Sequence, residues 1–133
     1  MGKKIGRSEI ISFPELKIVS IKAKIDTGAY GVALHVDNIR HDDGKLYFTV
    51  GNEEFSYNKF KTIEVKNSFG EVQKRFSIFT KLTIGESIYK FYVSLADRKN
   101  MKYSVLIGRR FLYKFKYLVD VTKKNINDRN KKV

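Results

Sequence analysis

The residues best suited to do chemistry in this chain are Asp26, Thr27 and Gly28, which stand together at the end of an apolar stretch. A glycine lets the backbone turn sharply, and a threonine hydroxyl can hold such a turn by hydrogen bonding. The aspartate would thereby be presented at a fixed position, where its carboxyl could act as a general acid or base. The tripeptide alone is a weak signal, because it occurs by chance in roughly a few per cent of chains of this length. An aspartate that only bonds the backbone of its own turn is the structural alternative.

A second segment stands about eighty positions downstream, where Leu106 and Ile107 precede Gly108, Arg109 and a short amphipathic stretch. Taken alone, this segment is more simply a buried strand that ends in a turn. In combination with Asp26-Thr27-Gly28, its order and spacing resemble the segment that packs beside the catalytic loop in retropepsins. The resemblance implies that Ile107, Gly108 and Arg109 support the loop that carries Asp26.

The resemblance covers most of the chain, from about Gly6 to Leu112, and is to one family in particular. It is similar to the retropepsin-like peptidases of bacteria and archaea that often carry the name "ATP-dependent zinc protease". The matching segments are Gly6, Arg7, Glu9, residues 13–16, residues 21–29, Leu34, His35, residues 67–70, Arg75, Asp97, Arg98, residues 101–103 and residues 106–109.

This resemblance implies an all-β, retropepsin-like closed barrel with one short C-terminal helix, completed by homodimerisation. The implied activity is that of an aspartic endopeptidase. Asp26, Thr27 and Gly28 would form the catalytic loop. The residues expected to contact substrate are Ala29 and Tyr30 beside that loop and Ser68, Phe69 and Gly70 at the tip of a flap hairpin.

One Asp-Thr-Gly in 133 residues is half of what such chemistry needs. Two carboxyls about 3 Å apart cannot both ionise comfortably, so a pair of Asp26 residues would share one proton. The ionised carboxyl could then activate a water molecule while the protonated one polarises the scissile carbonyl. This hypothesis requires no cofactor and no metal, and it makes a second copy of the chain the first expected partner.

The sequence departs from the family pattern beside the catalytic loop. Many members have a threonine or serine pair before the Leu-His that follows the loop, whereas this chain has residues 30–33, Tyr-Gly-Val-Ala. Viral retropepsins also carry an acidic residue where Tyr30 stands, and that residue often pairs with the arginine that Arg109 matches. We therefore expect Arg109 to have a different partner.

The zinc and ATP of the family's usual name find no support in the residues. Zinc sites draw on Cys, His and carboxylate ligands at characteristic spacings, and this chain has no cysteine and only His35 and His41 as histidines. A glycine-rich phosphate loop is also missing from the sequence. We expect neither a metal nor another cofactor.

Charge limits the range of partners. The chain has 27 Lys and Arg against 14 Asp and Glu, a formal net charge of +13, which attracts anionic partners but equally fits a solvated surface. Family members are often encoded beside ligases that add glutamates to a ribosomal protein, so the resemblance implies a peptide substrate with glutamate-rich tails. The alternative function is a basic β-barrel that binds RNA or ribosomes without catalysis, through Tyr47, Phe48, Tyr89, Phe91 and Tyr92. Nucleic acid is the less favoured partner, because alternating aromatic residues usually face a core.

The elements that must position these residues follow a period of two. Val19, Ile21, Ala23 and Ile25 alternate with polar residues, as in a strand with one buried face. The other predicted strands are residues 32–36, 45–50, 62–66, 75–84, 87–95 and 117–121, with a helix at 109–114. Short strands separated by turns predict an all-β barrel or sandwich.

The chain is predicted to form one domain at residues 1–122, followed by a basic polar tail at 123–133 that we expect to be flexible. The N-terminus contains neither the long apolar run of a secretory signal nor that of a membrane span, so we expect a cytoplasmic protein that does not bind membranes.

Overall fold

The computed structural model describes residues 3–66 and 69–128. Within these ranges the chain forms twelve strands, one α-helix and one turn of 3-10 helix at Pro14–Leu16. The elements are β1 Lys3–Gly6, β2 Ser8–Phe13, β3 Ile18–Ile25, β4 Val32–His35, β5 Asp37–Asp42, β6 Lys45–Val50, β7 Glu53–Tyr57, β8 Lys61–Lys66, β9 Val72–Ile84, β10 Ser87–Ala96, β11 Val105–Ile107, α1 Arg109–Lys114 and β12 Tyr117–Asp120. None of the helices in the described ranges has the length and apolar character needed to cross a membrane.

Six strands form a closed barrel in the order β10, β4, β11, β3, β2 and β9, and the pairing of β9 with β10 completes the ring. The pairs β4–β10 and β3–β11 are parallel, and the other pairs in the ring are antiparallel. β8 pairs with the first half of β9 and extends beyond the ring as one arm of a hairpin. The predicted all-β closed barrel with a helix at 109–114 is confirmed.

The core follows the predicted alternation closely in β10 and only partly in β3. In β10 the side chains of Tyr89, Phe91, Val93 and Leu95 are buried. In β3 Ala23 and Ile25 are buried, but Val19 is exposed. The expectation of a buried face along the whole of residues 19–25 was therefore wrong for the first half of β3. Only the second half is flanked by both β2 and β11, so only there does a full layer of neighbours cover it.

A separate three-stranded sheet of β5, β6 and β7 follows β4. Its first hairpin turns at Asp43 and Gly44, where Asp42 pairs with Lys45. Both turn residues have positive φ angles, 52° and 76°, as a tight two-residue hairpin requires. The aspartate and the glycine tolerate this backbone better than other residues, which gives the turn at Asp43 and Gly44 a direct physical cause.

The two ends of the described chain are joined. β1 and β12 form a two-stranded parallel sheet, which a hydrogen-bonded chain from Lys3 through Tyr89 to Tyr117 links to the barrel. The Lys3 Nζ lies 2.9 Å from the Tyr89 hydroxyl, which lies 2.7 Å from that of Tyr117. Burial raises the pKa of the Tyr117 hydroxyl, and the hydrogen bond with Tyr89 raises it further.

Residues 123–128, within the segment expected to be a flexible tail, are held against β1 and β2. The Arg7 N–H donates to the Lys123 carbonyl at 2.8 Å, and the Asn125 N–H donates to the Ser8 carbonyl at 2.8 Å. The carboxylate of Glu9, which has no exposed surface, accepts the Gly6 N–H at 2.7 Å and the Asn127 N–H at 3.0 Å. A buried carboxylate needs such donors, and Asn127 in this segment supplies one of them.

Candidate active site

The loop that carries Asp26 begins where β3 ends and is fixed by two backbone–backbone hydrogen bonds and one from a backbone N–H to the Asp26 side chain. The Asp26 N–H donates to the Ile107 carbonyl at 2.9 Å, and the Asp26 carbonyl accepts the Ala29 N–H at 3.0 Å. The Gly28 N–H donates to Oδ1 of Asp26 at 3.0 Å. One carboxylate oxygen is thus oriented by the loop itself, and the half-buried carboxyl is held at the surface of the barrel.

Strand pairing brings the two predicted segments together. β11 lies between β3 and β4, so that Ile107 is paired with Ile25 on one side and with Val32 on the other. These two residues flank the loop that contains Asp26. The fully buried Ile107 is therefore the strand-paired neighbour of the residues at both ends of the loop.

Gly108 is required for space rather than for backbone freedom. Its φ and ψ of −92° and −178° are extended values that any residue adopts. A Cβ atom at this position would lie 2.5 Å from the Gly31 carbonyl oxygen and 2.6 Å from the Ala29 carbonyl oxygen. The close approach lets the N–H groups of Arg109 and Arg110 donate to the carbonyls of Ala29 and Tyr30, at 2.9 Å and 3.0 Å.

The partner of Arg109 is now identified. Its Nη1 donates to the Gly28 carbonyl at 3.3 Å, and its guanidinium lies 5.4 Å from the centre of the Tyr30 ring. The guanidinium of Arg110 lies 5.3 Å from the same ring. A cation over an aromatic face is favourable, so Tyr30 provides an attraction at the position where viral retropepsins carry an acid.

A cavity of about 430 Å³ lies beside this loop. Among the residues that the structure describes, its wall combines three cationic side chains with three aromatic ones and includes no carboxylate. The lining residues are Tyr30, Phe91, Arg109, Arg110, Tyr113 and Lys114. Sequence reasoning identified Tyr30 and Arg109 but missed the contribution of helix α1, whose Arg110, Tyr113 and Lys114 could have been found from the basic and aromatic composition of residues 109–114.

The other predicted substrate-binding residues lie in less enclosed positions. Ala29 is half-buried in the loop, and Thr27, Gly28 and Tyr30 are exposed. The expected hairpin is present, since β8 and β9 pair until Lys66 meets Val72; its role as a flap stays a prediction. At its tip Phe69 is exposed and Gly70 has a φ of 83°. Ser68 lies outside the described residues.

The contacts of His35 give a structural role to several family-matching residues, among them Arg98 and Tyr103, for which the sequence suggested none. Its Nδ1 accepts the N–H of Arg98 at 2.7 Å, and its Nε2 lies 3.3 Å from an oxygen of Asp37. Arg98 in turn donates from Nε to the Tyr103 carbonyl at 3.2 Å. Nearby, the hydrogen bond from the Lys99 N–H lowers the pKa of Asp97. The cluster anchors the β10–β11 connection to the last residue of β4. The Asp26 loop lies at the other end of β4, before Val32.

The described residues do not fit the zinc site that the family's usual name implies. His35 already accepts a backbone hydrogen bond at Nδ1, and His41 packs edge-on between Phe60 and Phe76, with ring centres 5.1 Å and 5.8 Å away. In residues 3–66 and 69–128, His, Cys, Asp and Glu side chains nowhere form a group of three able to hold a metal ion.

The aromatic residues considered for RNA binding are mostly core residues. Phe48, Tyr89 and Phe91 are buried, Tyr47 is half-buried, and Tyr92 alone among the five is exposed. This set therefore does not form a common surface, and a nucleic-acid interface would need other residues.

Comparison with known proteins gives three findings. A family model described as the retropepsin-like aspartic endopeptidase RimB matches residues 4–130. A probable alpha-L-glutamate ligase of Desulfotalea psychrophila is 30% identical over 119 residues, which are 80% of this chain and 26% of the relative. A probable alpha-L-glutamate ligase of Shewanella halifaxensis is 30% identical over 128 residues, 87% of this chain and 28% of the relative. The chain thus spans about a quarter of the length of these curated relatives.

The fold is also similar to a solved structure. A protein of unknown function from Legionella pneumophila superposes with a TM-score of 0.75 at 25% identity, covering 96% of this chain and 100% of the other.

Proposed function

This chain belongs to the RimB-like family of retropepsin-like aspartic endopeptidases, and we propose that it hydrolyses peptide bonds as a homodimer with one Asp26 carboxyl from each copy. The observation that carries the proposal is the construction of the Asp26 loop. Two backbone–backbone hydrogen bonds, a bond from the Gly28 N–H to the Asp26 side chain and the close contact at Gly108 hold a partly exposed carboxyl at the barrel surface. The Gly28 bond is one that any turn aspartate can make, whereas the contacts with Ile107 and Gly108 fix the loop against a segment eighty positions away.

The reaction requires two carboxyls, and each chain supplies one such loop. Two Asp26 carboxyls about 3 Å apart would share one proton. The ionised carboxyl takes a proton from a water molecule as the water oxygen bonds to the carbonyl carbon, and the protonated carboxyl donates to the carbonyl oxygen. When the carbon–nitrogen bond breaks, the leaving nitrogen takes the proton that the first carboxyl received from water. One hydroxyl of the tetrahedral intermediate returns its proton to the second carboxyl, which restores the shared proton and leaves a carboxylic acid product. No covalent bond to the enzyme forms.

The accessibility of the loop supports assembly around a twofold axis. Thr27 and Gly28, which follow Asp26 in the loop, are exposed. A symmetric contact at this point places the same loop on both sides, as isologous dimers require. The flap tip at Phe69 and Gly70, with Ser68, would then close over an extended peptide and exclude bulk water.

The substrate that we propose is an acidic peptide, in particular one with a glutamate-rich tail. The cavity beside the loop presents Arg109, Arg110 and Lys114 with no carboxylate in its wall, and the whole chain carries a net charge of +13. The curated relatives that contain a counterpart of this chain are named as probable glutamate ligases. A peptidase that acts on the product of glutamate addition would suit a domain within such proteins.

The proposal is tested by incubating the wild type and Asp26→Asn with peptides that end in several glutamates and with neutral peptides of equal length. Mass spectrometry of the products should show cleavage by the wild type, faster for the acidic peptides, and none by Asp26→Asn. Asp43→Asn is the matched control, because it makes the same chemical change at a hairpin turn whose backbone asparagine also tolerates. Equal cleavage by the wild type and Asp26→Asn would reject the assignment of Asp26.

A further inference from the structure

The outer surface of β8, β9 and β10 carries basic and aromatic residues that have no part in the proposed reaction. Residues that point inward from β9 and β10, such as Ile78 and Phe91, are buried in the core. The alternate residues point outward, and cross-strand pairing places them on one face. This outer basic face consists of Lys61, Ser77, Phe79, Lys81, Thr83, Ile88, Lys90, Tyr92 and Ser94. No acidic residue occupies any of these nine positions.

At the centre of the outer basic face lies an exposed aromatic pair. Phe79 and Tyr92 stand directly opposite each other on β9 and β10, with ring centres 5.1 Å apart. Their exposed fractions are 48% and 38%, although rings of this size gain free energy when they are buried. The two rings therefore present a broad, flat apolar surface to the solvent.

Lysines surround this pair. The Nζ of Lys61 lies 4.0 Å from the centre of the Tyr92 ring, and the Nζ of Lys90 lies 5.9 Å from the centre of the Phe79 ring. Lys90 is also directly opposite Lys81 across the two strands. Like charges in this arrangement repel, so an anion between them would remove an unfavourable interaction. One carboxylate lies beside this face, because the Lys81 N–H donates to an oxygen of Glu15 at 3.2 Å.

We propose that the outer basic face binds a single strand of nucleic acid. Bases would stack on Phe79 and Tyr92, while Lys61, Lys81 and Lys90 would contact the phosphates, the combination on which sequence-tolerant single-strand binding depends. The rings favour a nucleic acid over an acidic peptide. Carboxylates would pair with the lysines but would not stack on the exposed rings, whereas bases would. A duplex is also disfavoured, because its base faces are already stacked.

This inference is independent of the proposed peptidase function. None of the residues of the outer basic face lines the cavity beside the Asp26 loop. Phe91 lines that cavity, whereas its neighbour Tyr92 points to the opposite side of the same strand. Either activity can therefore be lost without the other.

The test is fluorescence anisotropy with labelled twelve-residue oligouridine and oligothymidine, titrated with the full chain at several salt concentrations. Both should bind, and the logarithm of the affinity should fall with the logarithm of salt with a slope of about −2, the value for three phosphate contacts on a single strand. Tighter binding of oligouridine would identify RNA as the source, and equal binding would indicate any single strand.

Two variants separate stacking from charge. The double variant Phe79→Ala with Tyr92→Ala should weaken binding by roughly tenfold or more while leaving the salt slope unchanged. Lys81→Glu should weaken binding and reduce the slope. Lys45→Glu, the same charge reversal at an exposed position on β6, is the control that should leave binding unchanged apart from the small effect of net charge.

Three results would overturn the inference: no binding by the wild type, undiminished binding by the aromatic double variant, or an equal loss in Lys45→Glu and Lys81→Glu. Competition by poly-glutamate as effective as that by unlabelled oligouridine would also overturn it, in favour of an acidic protein partner. Unchanged peptide cleavage by the aromatic double variant, together with an unchanged thermal melt, would show that a loss of binding is local.

Discussion

Replacing Gly108 with alanine should damage the Asp26 loop through one added carbon atom. The new Cβ would lie 2.5 Å from the Gly31 carbonyl oxygen and 2.6 Å from that of Ala29, whereas ordinary contact begins at 3.4 Å. The Gly31 carbonyl would have to retreat by about 0.9 Å, the difference between 3.4 Å and 2.5 Å, and the Ala29 carbonyl by about 0.8 Å, the difference between 3.4 Å and 2.6 Å. Both belong to backbone, so neither can move without moving the loop.

The expected cost has a stability part and an activity part. Overpacking of this kind costs about 1–3 kcal/mol. With about 4 °C of melting temperature per kcal/mol for a domain of this size, the midpoint should fall by roughly 4–12 °C. A displacement close to 1 Å at the catalytic group should lower kcat by about a hundredfold, with little change in KM.

The assays are thermal unfolding followed by circular dichroism and steady-state cleavage of an acidic peptide. Gly31→Ala is the matched control: it lies in the same loop, a Cβ there meets nothing within 4 Å, and its φ is not positive. That variant should keep the melting temperature or raise it slightly, because alanine restricts the unfolded chain. A Gly108→Ala protein with wild-type stability and kcat would refute the argument that Gly108 positions the loop.

Three further predictions concern the tail, the cavity and a surface carboxyl. Glu9→Gln should lower the free energy of unfolding by about 1–3 kcal/mol, measured by urea denaturation, because an amide nitrogen would face one of the N–H donors of Gly6 and Asn127. Arg110→Gln should raise KM for acidic peptides about two- to fivefold and leave neutral peptides unaffected; equal effects on both would exclude a charge contribution. Thr122→Val should raise the pKa of Asp120, which hydrogen bonds from the Thr122 hydroxyl and N–H hold below its ordinary value. Since the folded pKa is depressed, this stabilisation is present above the ordinary aspartate pKa and is lost as pH falls through the folded value; an NMR titration with no difference between the two proteins would contradict it.

Periodicity predicted the central strands because their side chains alternate between core and solvent. It failed for β2, which begins with Ser8 and Glu9, two polar residues that are both buried. Glu9 is buried because it accepts hydrogen bonds from Asn127, 118 positions away in the chain. No local pattern contains that information. Neither strand β2 nor the contact of Asn127 with Glu9 could therefore be predicted from the sequence.

The candidate site was predictable to the extent that its chemistry is local. Asp26, Gly28 and Gly108 could be identified because loop chemistry and the family resemblance mark them directly. The partner of Arg109 could not, since the Gly28 carbonyl and the Tyr30 ring meet it only after β3, β11 and α1 are packed together. The alternation of residues in β9 and β10 indicates from the sequence which of them point outward. The cross-strand register was needed to show that the rings and lysines of the outer basic face are neighbours.

The central claim, that two copies of Asp26 form one catalytic site, is tested most directly by mixing subunits. Wild type and Asp26→Asn are combined in equal amounts, allowed to exchange subunits, and assayed for peptide cleavage against the same total wild-type protein alone. If a site needs both carboxyls, mixed dimers are inactive and about half of the wild-type activity is lost. Undiminished activity after complete exchange, verified by native mass spectrometry, would show that each chain acts on its own and would contradict the account.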